Sequence, residues 1–228
     1  TVTDANSNTS TATAVVTVAD IASPTAITQN ITVNLDALGN ATIVAADVNN
    51  GSSDNCGPVT LAIDVSTFTC TDIGANNVIL TVTDANSNTS TATAVVTVAD
   101  IASPTAIAQN ITVNLDASGN ATIVAADVNN GSSDNCGPVT LAIDVSTFTC
   151  TDIGANNVIL TVTDANSNTS TATAVVTIAD TTSPAAIAQN ITVYLDASGS
   201  ASIVAADVDN GSTDNCSTVT LAIDSSNF

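Results

Sequence analysis

One eighty-residue block, repeated almost without change, governs what this chain can fold into. Residues 21–100 and 101–180 differ only at Thr28/Ala108, Leu38/Ser118 and Val98/Ile178. Residues 1–20 reproduce 81–100, and 181–228 open a further, more divergent copy. A period of this size is too long for one solenoid turn and suits a small autonomous domain, so beads in series are expected. The expected organisation is the end of one repeat at 1–20, complete repeats at 21–100 and 101–180, and the first part of another at 181–228. On this reading the chain is a window from a longer repetitive protein, and its function belongs to the array.

Within a repeat the hydrophobic period is two. Ile111, Val113 and Leu115 alternate with polar residues, Asp116 to Gly119 makes a turn, and Ala121, Ile123 and Ala125 alternate on what reads as the returning strand of a hairpin. A long loop from Asp127 to Pro138 follows. Val139, Leu141 and Ile143 form the next alternating strand, Thr147–Cys150 a short one, and Val158, Leu160 and Val162 another. The chain then returns through a Thr- and Val-rich stretch, 171–178. β-branched residues dominate and no segment shows a capped 3.6-residue period, so no helix is expected. About seven short strands per repeat predict an all-β fold: tandem immunoglobulin-like β-sandwich domains of about 80 residues. The short Ile101-Ala-Ser-Pro104 junction predicts that they form an extended rod, because proline stiffens the connection.

Five cysteines recur in register as Cys56 and Cys70, Cys136 and Cys150, and Cys216. The spacing lacks the histidine or second close cysteine of a zinc site and reads as a disulfide framework, with buried reduced thiols the alternative. The expected pairs are local, Cys56–Cys70 and Cys136–Cys150, with the partner of Cys216 beyond the chain end. Each would pin the long loop to the short Phe-containing strand. A stable disulfide points to an oxidising, extracytoplasmic setting.

Composition narrows function. The chain has no Lys, Arg or His, and its formal net charge is -21. Every acidic residue is Asp, so the usual general bases near neutral pH and Ser-His or Cys-His pairs are missing, and no enzyme is expected. Nucleic acid and anionic membrane surfaces need basic side chains and are not expected partners. No apolar run is long enough to span a bilayer as a helix.

The Asp- and Asn-rich loops are the remaining candidates for chemistry, and calcium is the one ion considered; no other cofactor is expected. The loop Asp127–Asn135 combines two carboxylates with several amides, giving candidate ligands Asp127 and Asp134, with Asp47, Asp54, Asp207 and Asp214 at the same positions of the other copies. Asp164-Ala-Asn-Ser-Asn168 opens like an oxygen-ligand calcium loop but lacks its Gly and Glu, making Asp164 and Asp84 weaker candidates. Asp100 and Asp180 beside the junctions are candidates for an inter-domain ion. The competing reading is that these are turn residues, as Asp116 is, and that surface aspartates keep a long polymer soluble. With no basic side chain present, carboxylate repulsion must be relieved by solvent, salt or bound cations.

The combination Asn-Gly-Ser-Ser-Asp-Asn-Cys-Gly (50–57 and 130–137), Thr-Phe-Thr-Cys, and Val-Thr-Asp-Ala-Asn-Ser-Asn-Thr-Ser resembles the hyalin-repeat (HYR) type of immunoglobulin-like module. It is most similar to the tandem form in very large surface adhesins of Bacteroidetes, including gliding-motility adhesins of the SprB kind. The resemblance covers the whole chain, although the further cysteines of eukaryotic hyalin repeats are missing. It implies a β-sandwich, export by a type IX secretion system, and a place at the cell surface in adhesion.

The leading functional expectation is a structural segment, the stalk or filament of a large secreted cell-surface adhesin that holds an adhesive region away from the cell. Its partners would be neighbouring repeats of the same chain. Two alternatives are multivalent binding of surface glycans by the repeats, against which the scarcity of aromatics counts, and self-assembly of like chains into an extracellular fibre.

Overall fold

The computed structural model describes residues 1–228 and divides into two compact units, Thr1–Ile101 and Ala102–Phe228. In the first unit the strands are β1 (Val2–Thr3), β2 (Thr9–Ser10), β3 (Ile31–Asn34), β4 (Asn40–Thr42), β5 (Thr60–Ile63), β6 (Thr67–Thr69), β7 (Gly74–Thr83) and β8 (Thr89–Ala99). A single helical turn, α1 (Ala45–Val48), follows β4. The second unit repeats the pattern with β9 (Ile111–Asn114), β10 (Asn120–Thr122), α2 (Ala125–Val128), β11 (Thr140–Ile143), β12 (Thr147–Thr149), β13 (Gly154–Thr163) and β14 (Thr169–Ala179), and adds α3 (Ala205–Val208).

Each complete repeat is an immunoglobulin-like β-sandwich. The larger sheet has the order β11-β13-β14-β9, and its counterpart in the first unit is β5-β7-β8-β3. The long hairpin β13–β14 is its spine, paired residue by residue from Gly154↔Ile178 to Thr163↔Thr169. The period-two pattern explains why these segments are strands: Val158, Leu160 and Val162 are fully buried and lie on one face. Across the ladder Ala174 stands opposite Val158 and Ala172 opposite Leu160, so a small residue faces each large one. The second layer is the pair β10–β12, where Phe148 stands opposite Ala121. Phe148, Ala121, Leu115 and Val128 join the inward residues of β13 and β14 in one apolar cluster.

Two expectations are corrected here. The strands on either side of Asp116–Gly119 do not form a hairpin. Strand β9 runs parallel to β14 in the larger sheet, and β10 pairs antiparallel with β12 in the other. The turn therefore carries the chain between layers. Asp116 Oδ1 holds it, accepting the N–H groups of Ser118 at 2.8 Å and Asn120 at 2.9 Å. A short helical turn, Ala125–Val128, also replaces the end of the expected returning strand at Ala125 and the start of the expected loop. At α2 the Asp127 carboxylate accepts the Val124 N–H at 2.7 Å, satisfying one of the donors that a helix start leaves open. Four residues are too few to show a 3.6-residue period in the sequence, which is why the turn escapes it.

Candidate functional site: the junction between successive repeats

The cysteines do not pair within a repeat. Cys150 is bonded to Cys216, 66 residues further on and in the next copy, with an S–S distance of 2.05 Å and Cα atoms 5.1 Å apart. Cys56 is a free, exposed thiol, which excludes the expected Cys56–Cys70 bond. The expected Cys136–Cys150 bond is excluded by the partner Cys150 has, and Cys216 finds its partner inside the chain. Cys70 and Cys136 are disulfide-bonded as well, to neither of the partners expected for them.

Strand register supplies the physical reason. Cys150 opens a tight 3-10 turn that leads into Gly154, and Gly154 pairs with Ile178 at the junction end of the hairpin. Cys136 precedes β11, whose first residue, Thr140, pairs with Thr163 at the other end of β13. A ten-residue strand separates those ends by roughly 30 Å, far beyond the 7 Å or so that a disulfide tolerates between Cα atoms. The two cysteines of one repeat sit at opposite ends of it, and Cys150 is placed to meet the following copy.

Cys216 reaches the preceding repeat because its loop runs back toward the junction. Ala185 and Ala188, just past Pro184, form bridges with Thr213 and Asp209. Asp214 Oδ2 accepts the N–H of Cys216 at 3.1 Å, the Ser217 hydroxyl at 2.9 Å and the Ser217 N–H at 3.0 Å, and these bonds, that of Cys216 first, hold its carboxyl below the ordinary range. Asn215 Nδ2 donates to the Asp116 carbonyl at 3.1 Å and to Thr182 Oγ1 at 3.4 Å. The interlayer turn 116–119 is thus the seat of the following loop. Gly119, at φ 76°, is where the approach is closest: a Cβ there would lie 2.5 Å from Cys150 Sγ and 3.3 Å from Cys216 Sγ.

In the first unit the same kind of junction, between residues 1–20 and the repeat at 21–100, gathers three carboxylates. Asp20, Asp54 and Asp84 each place an oxygen within 4.8 Å of the others. Asp84 is buried at the end of β7, and its loop is folded around it. Its Oδ1 accepts the N–H groups of Asn86 at 2.9 Å and Asn88 at 2.8 Å, and Oδ2 accepts from Asn88 Nδ2 at 2.8 Å. Burial alone would raise its pKa, but these bonds together, led by Asn88, lower it. Asn88 Nδ2 also donates to the Asp20 carbonyl at 3.2 Å, tying the two repeats together. Asp20 Oδ1 accepts the Ala22 N–H at 2.9 Å, and Asp54 Oδ2 that of Cys56 at 2.8 Å. The Asp20 charge, ahead of burial and of the charges on Asp54 and Asp84, pushes the Cys56 thiol up.

Oxygens this close can share one calcium ion, since Ca–O distances of about 2.3–2.6 Å place opposite ligands about 4.8 Å apart. The donor set is all oxygen and anionic, which suits a hard cation. The remaining ligands of a calcium shell would be water or backbone carbonyls. Among the candidates from sequence, Asp54 and Asp84 are brought together here. Asp47 is not among them; its Oδ2 accepts the Val44 N–H at 2.7 Å, and Asp127 and Asp207 do the same for Val124 and Val204. By the eighty-residue register the counterparts of the three carboxylates are Asp100, Asp134 and Asp164, of which Asp100 and Asp164 are buried. Asp134 Oδ2 accepts the Cys136 N–H at 2.8 Å, Asp164 Oδ1 those of Asn166 and Asn168 at 2.8 Å, and Asp180 Oδ1 that of Thr182 at 3.0 Å. Asp20 is not among the candidates from sequence, although it occupies the same position before a junction as Asp100 and Asp180.

No family model and no curated protein matches the chain. Solved structures are similar at low identity. An endo-fucoidan hydrolase of glycoside hydrolase family 107 shares 15% identity over 70% of this chain and 29% of its own, with a TM-score of 0.29. Extracellular cadherin domains 1–4 of protocadherin gamma B7 share 11% identity over 80% of this chain and 57% of theirs, with a TM-score of 0.35. Domains EC1-2 of human protocadherin-24 share 12% identity over 69% of this chain and 99% of theirs, with a TM-score of 0.37. The chain spans less than two thirds of the first two. At these TM-scores the likenesses add nothing to what the strands themselves show.

Proposed function

We propose that the chain is a structural segment of a secreted, adhesion-type surface protein: a stalk whose repeats hold an adhesive region away from the cell. The observation that carries this reading is the Cys150–Cys216 bond, which joins one repeat covalently to the next. A disulfide that secured a single bead would serve any small extracellular domain. One that crosses the junction serves the array, by limiting how far successive beads can swing or separate. Near-identical copies suit the same role, since each adds the same increment of length. The bond also supports an oxidising, extracellular setting. The HYR-type adhesin resemblance, with export by a type IX system, is the finer form of the proposal.

Calcium at Asp20, Asp54 and Asp84 completes the proposed junction. A cation there neutralises carboxylates that no basic side chain of this protein can reach, and it does so where two repeats meet. Staple and ion would then act on the same joint.

Electron microscopy of the purified, oxidised protein tests the stalk. Single thin particles that remain separate at high concentration are expected. Lateral bundles would instead make the chains a self-assembling fibre, and capture by a glycan array would give the repeats a binding role of their own.

A further inference from the structure

We infer that the interrepeat disulfide is a bypass for mechanical load, which carries tension past the two long strands of a repeat instead of through them. The inference rests on connectivity. Tension applied along the chain enters Cys150 from β12 and has two routes onward. One is the backbone from 151 to 215, through β13, β14, the Asp180–Pro184 junction and α3. The other is the single covalent step from Cys150 Sγ to Cys216 Sγ. Because the second route is far shorter, it becomes taut first, and the residues between lie in a closed loop that bears no load.

What the loop encloses gives this its meaning. It holds the whole β13–β14 hairpin, and with it Val158, Leu160, Val162, Val176 and Ile178, the fully buried spine of the core. Without the disulfide these two strands would carry the pull from one repeat to the next. With it, the hairpin and the junction behind it are shielded. Gly119 is the local device that permits this. Its missing side chain lets both sulfurs lie against the turn that ends β9's crossover, so the bond is seated on the body of the repeat.

The expected pairing within a repeat would have done something different. A Cys136–Cys150 bond would remove only β11 and β12 from the load path, leaving the hairpin exposed to it. The two arrangements hide very different lengths of chain. At about 3.3–3.6 Å per extended residue, the observed loop conceals roughly 220–240 Å, and the local one about 50 Å.

The inference deepens the stalk reading and takes its biological meaning from it, but its test reads the covalent path alone. The 228-residue protein, tethered at its two ends, is stretched to full extension by single-molecule force spectroscopy under non-reducing conditions, beside the double variant Cys150→Ser, Cys216→Ser. The variant is expected to reach a contour length longer by roughly 220–240 Å. Full extension depends on covalent connectivity, so the comparison holds even where the variant folds poorly. Equal lengths, or a difference near 50 Å, would overturn the inference. A full-length difference in a protein that forms lateral bundles by microscopy would keep the bypass and reject the stalk.

Discussion

Cys150 is bonded to Cys216 in the following repeat, while Cys136, far closer in sequence, lies at the opposite end of β13. This one relationship changes the role of the disulfide. The Cys150–Cys216 bond is a link between beads, and the bead itself is held together by its core.

That core is light, so its one aromatic matters. Phe148 is 2% exposed and belongs to the smaller layer. Phe148→Ala should cost about 3–5 kcal/mol, against a total of roughly 0.05–0.15 kcal/mol per residue for a domain of this kind. A denaturant titration of the oxidised protein should show one transition shifted strongly to lower denaturant. A shift below about 1 kcal/mol would mean that Phe148 is not packed as described.

Gly119 and Gly199 occupy the same turn in successive copies, each at φ 76°. A Cβ at Gly199 meets nothing within 4 Å, whereas one at Gly119 meets both sulfurs. Alanine at either position carries the same backbone penalty, on the order of 1 kcal/mol. Only Gly119→Ala should also leave a fraction of Cys150 and Cys216 unpaired. Thiol titration of the native protein should detect that excess, and an equal thiol content in the two variants would contradict the seat described for the bond.

Asp84 gives a pH dependence with a definite sign. Its folded pKa is lowered by the N–H groups and amide of its own loop. Its contribution to stability is therefore fully present above the unfolded value, about 3.9, and is lost as pH falls through the lower folded value. Thermal midpoints should fall on acidification through that window, and Asp84→Asn should flatten the fall. A wild-type midpoint that rises on acidification would show that carboxylate repulsion, not hydrogen bonding, dominates there.

Calcium should raise the thermal midpoint of the protein and a chelator should lower it, because an ion that binds only the folded junction stabilises it by mass action. The double variant Asp20→Asn, Asp54→Asn should lose that response. Both substitutions keep the side-chain size and an oxygen acceptor, so folding is retained while two of the three anionic ligands are removed. An unchanged midpoint in the parent protein would remove the ion from the junction.

Much of the fold is legible in the sequence because period-two alternation at Val158–Val162 and Ile111–Leu115 reports burial directly. The pairing of those strands is not. Nothing local distinguishes a turn that closes a hairpin from one that crosses between sheets, and the Asp116 turn is the second kind. The helical turn at Ala125–Val128 is hidden by its shortness. The disulfide pairing is hidden because proximity in sequence is not proximity in space: the length of the β13 stretch separates Cys136 from Cys150 by itself. The carboxylates show the same limit. Asp127 and Asp134 share a loop, yet the Asp127 carboxylate is engaged by its own helical turn. Asp20, Asp54 and Asp84 are scattered in sequence and converge only because a junction folds one repeat's end against the next.

That the staple crosses the junction can be read most directly from a non-reducing peptide map. Cys216 has a sequence context of its own, Thr213-Asp-Asn-Cys-Ser-Thr218, unlike the shared surroundings of Cys56 and Cys136. No Thr-Phe-Thr-Cys segment lies in the same repeat within this chain. Peptic digestion of the alkylated, oxidised protein should yield the Cys216 peptide bonded to a Thr-Phe-Thr-Cys peptide. Recovery of Cys216 as an alkylated thiol, with every Thr-Phe-Thr-Cys peptide joined to Asp-Asn-Cys-Gly-Pro, would contradict it.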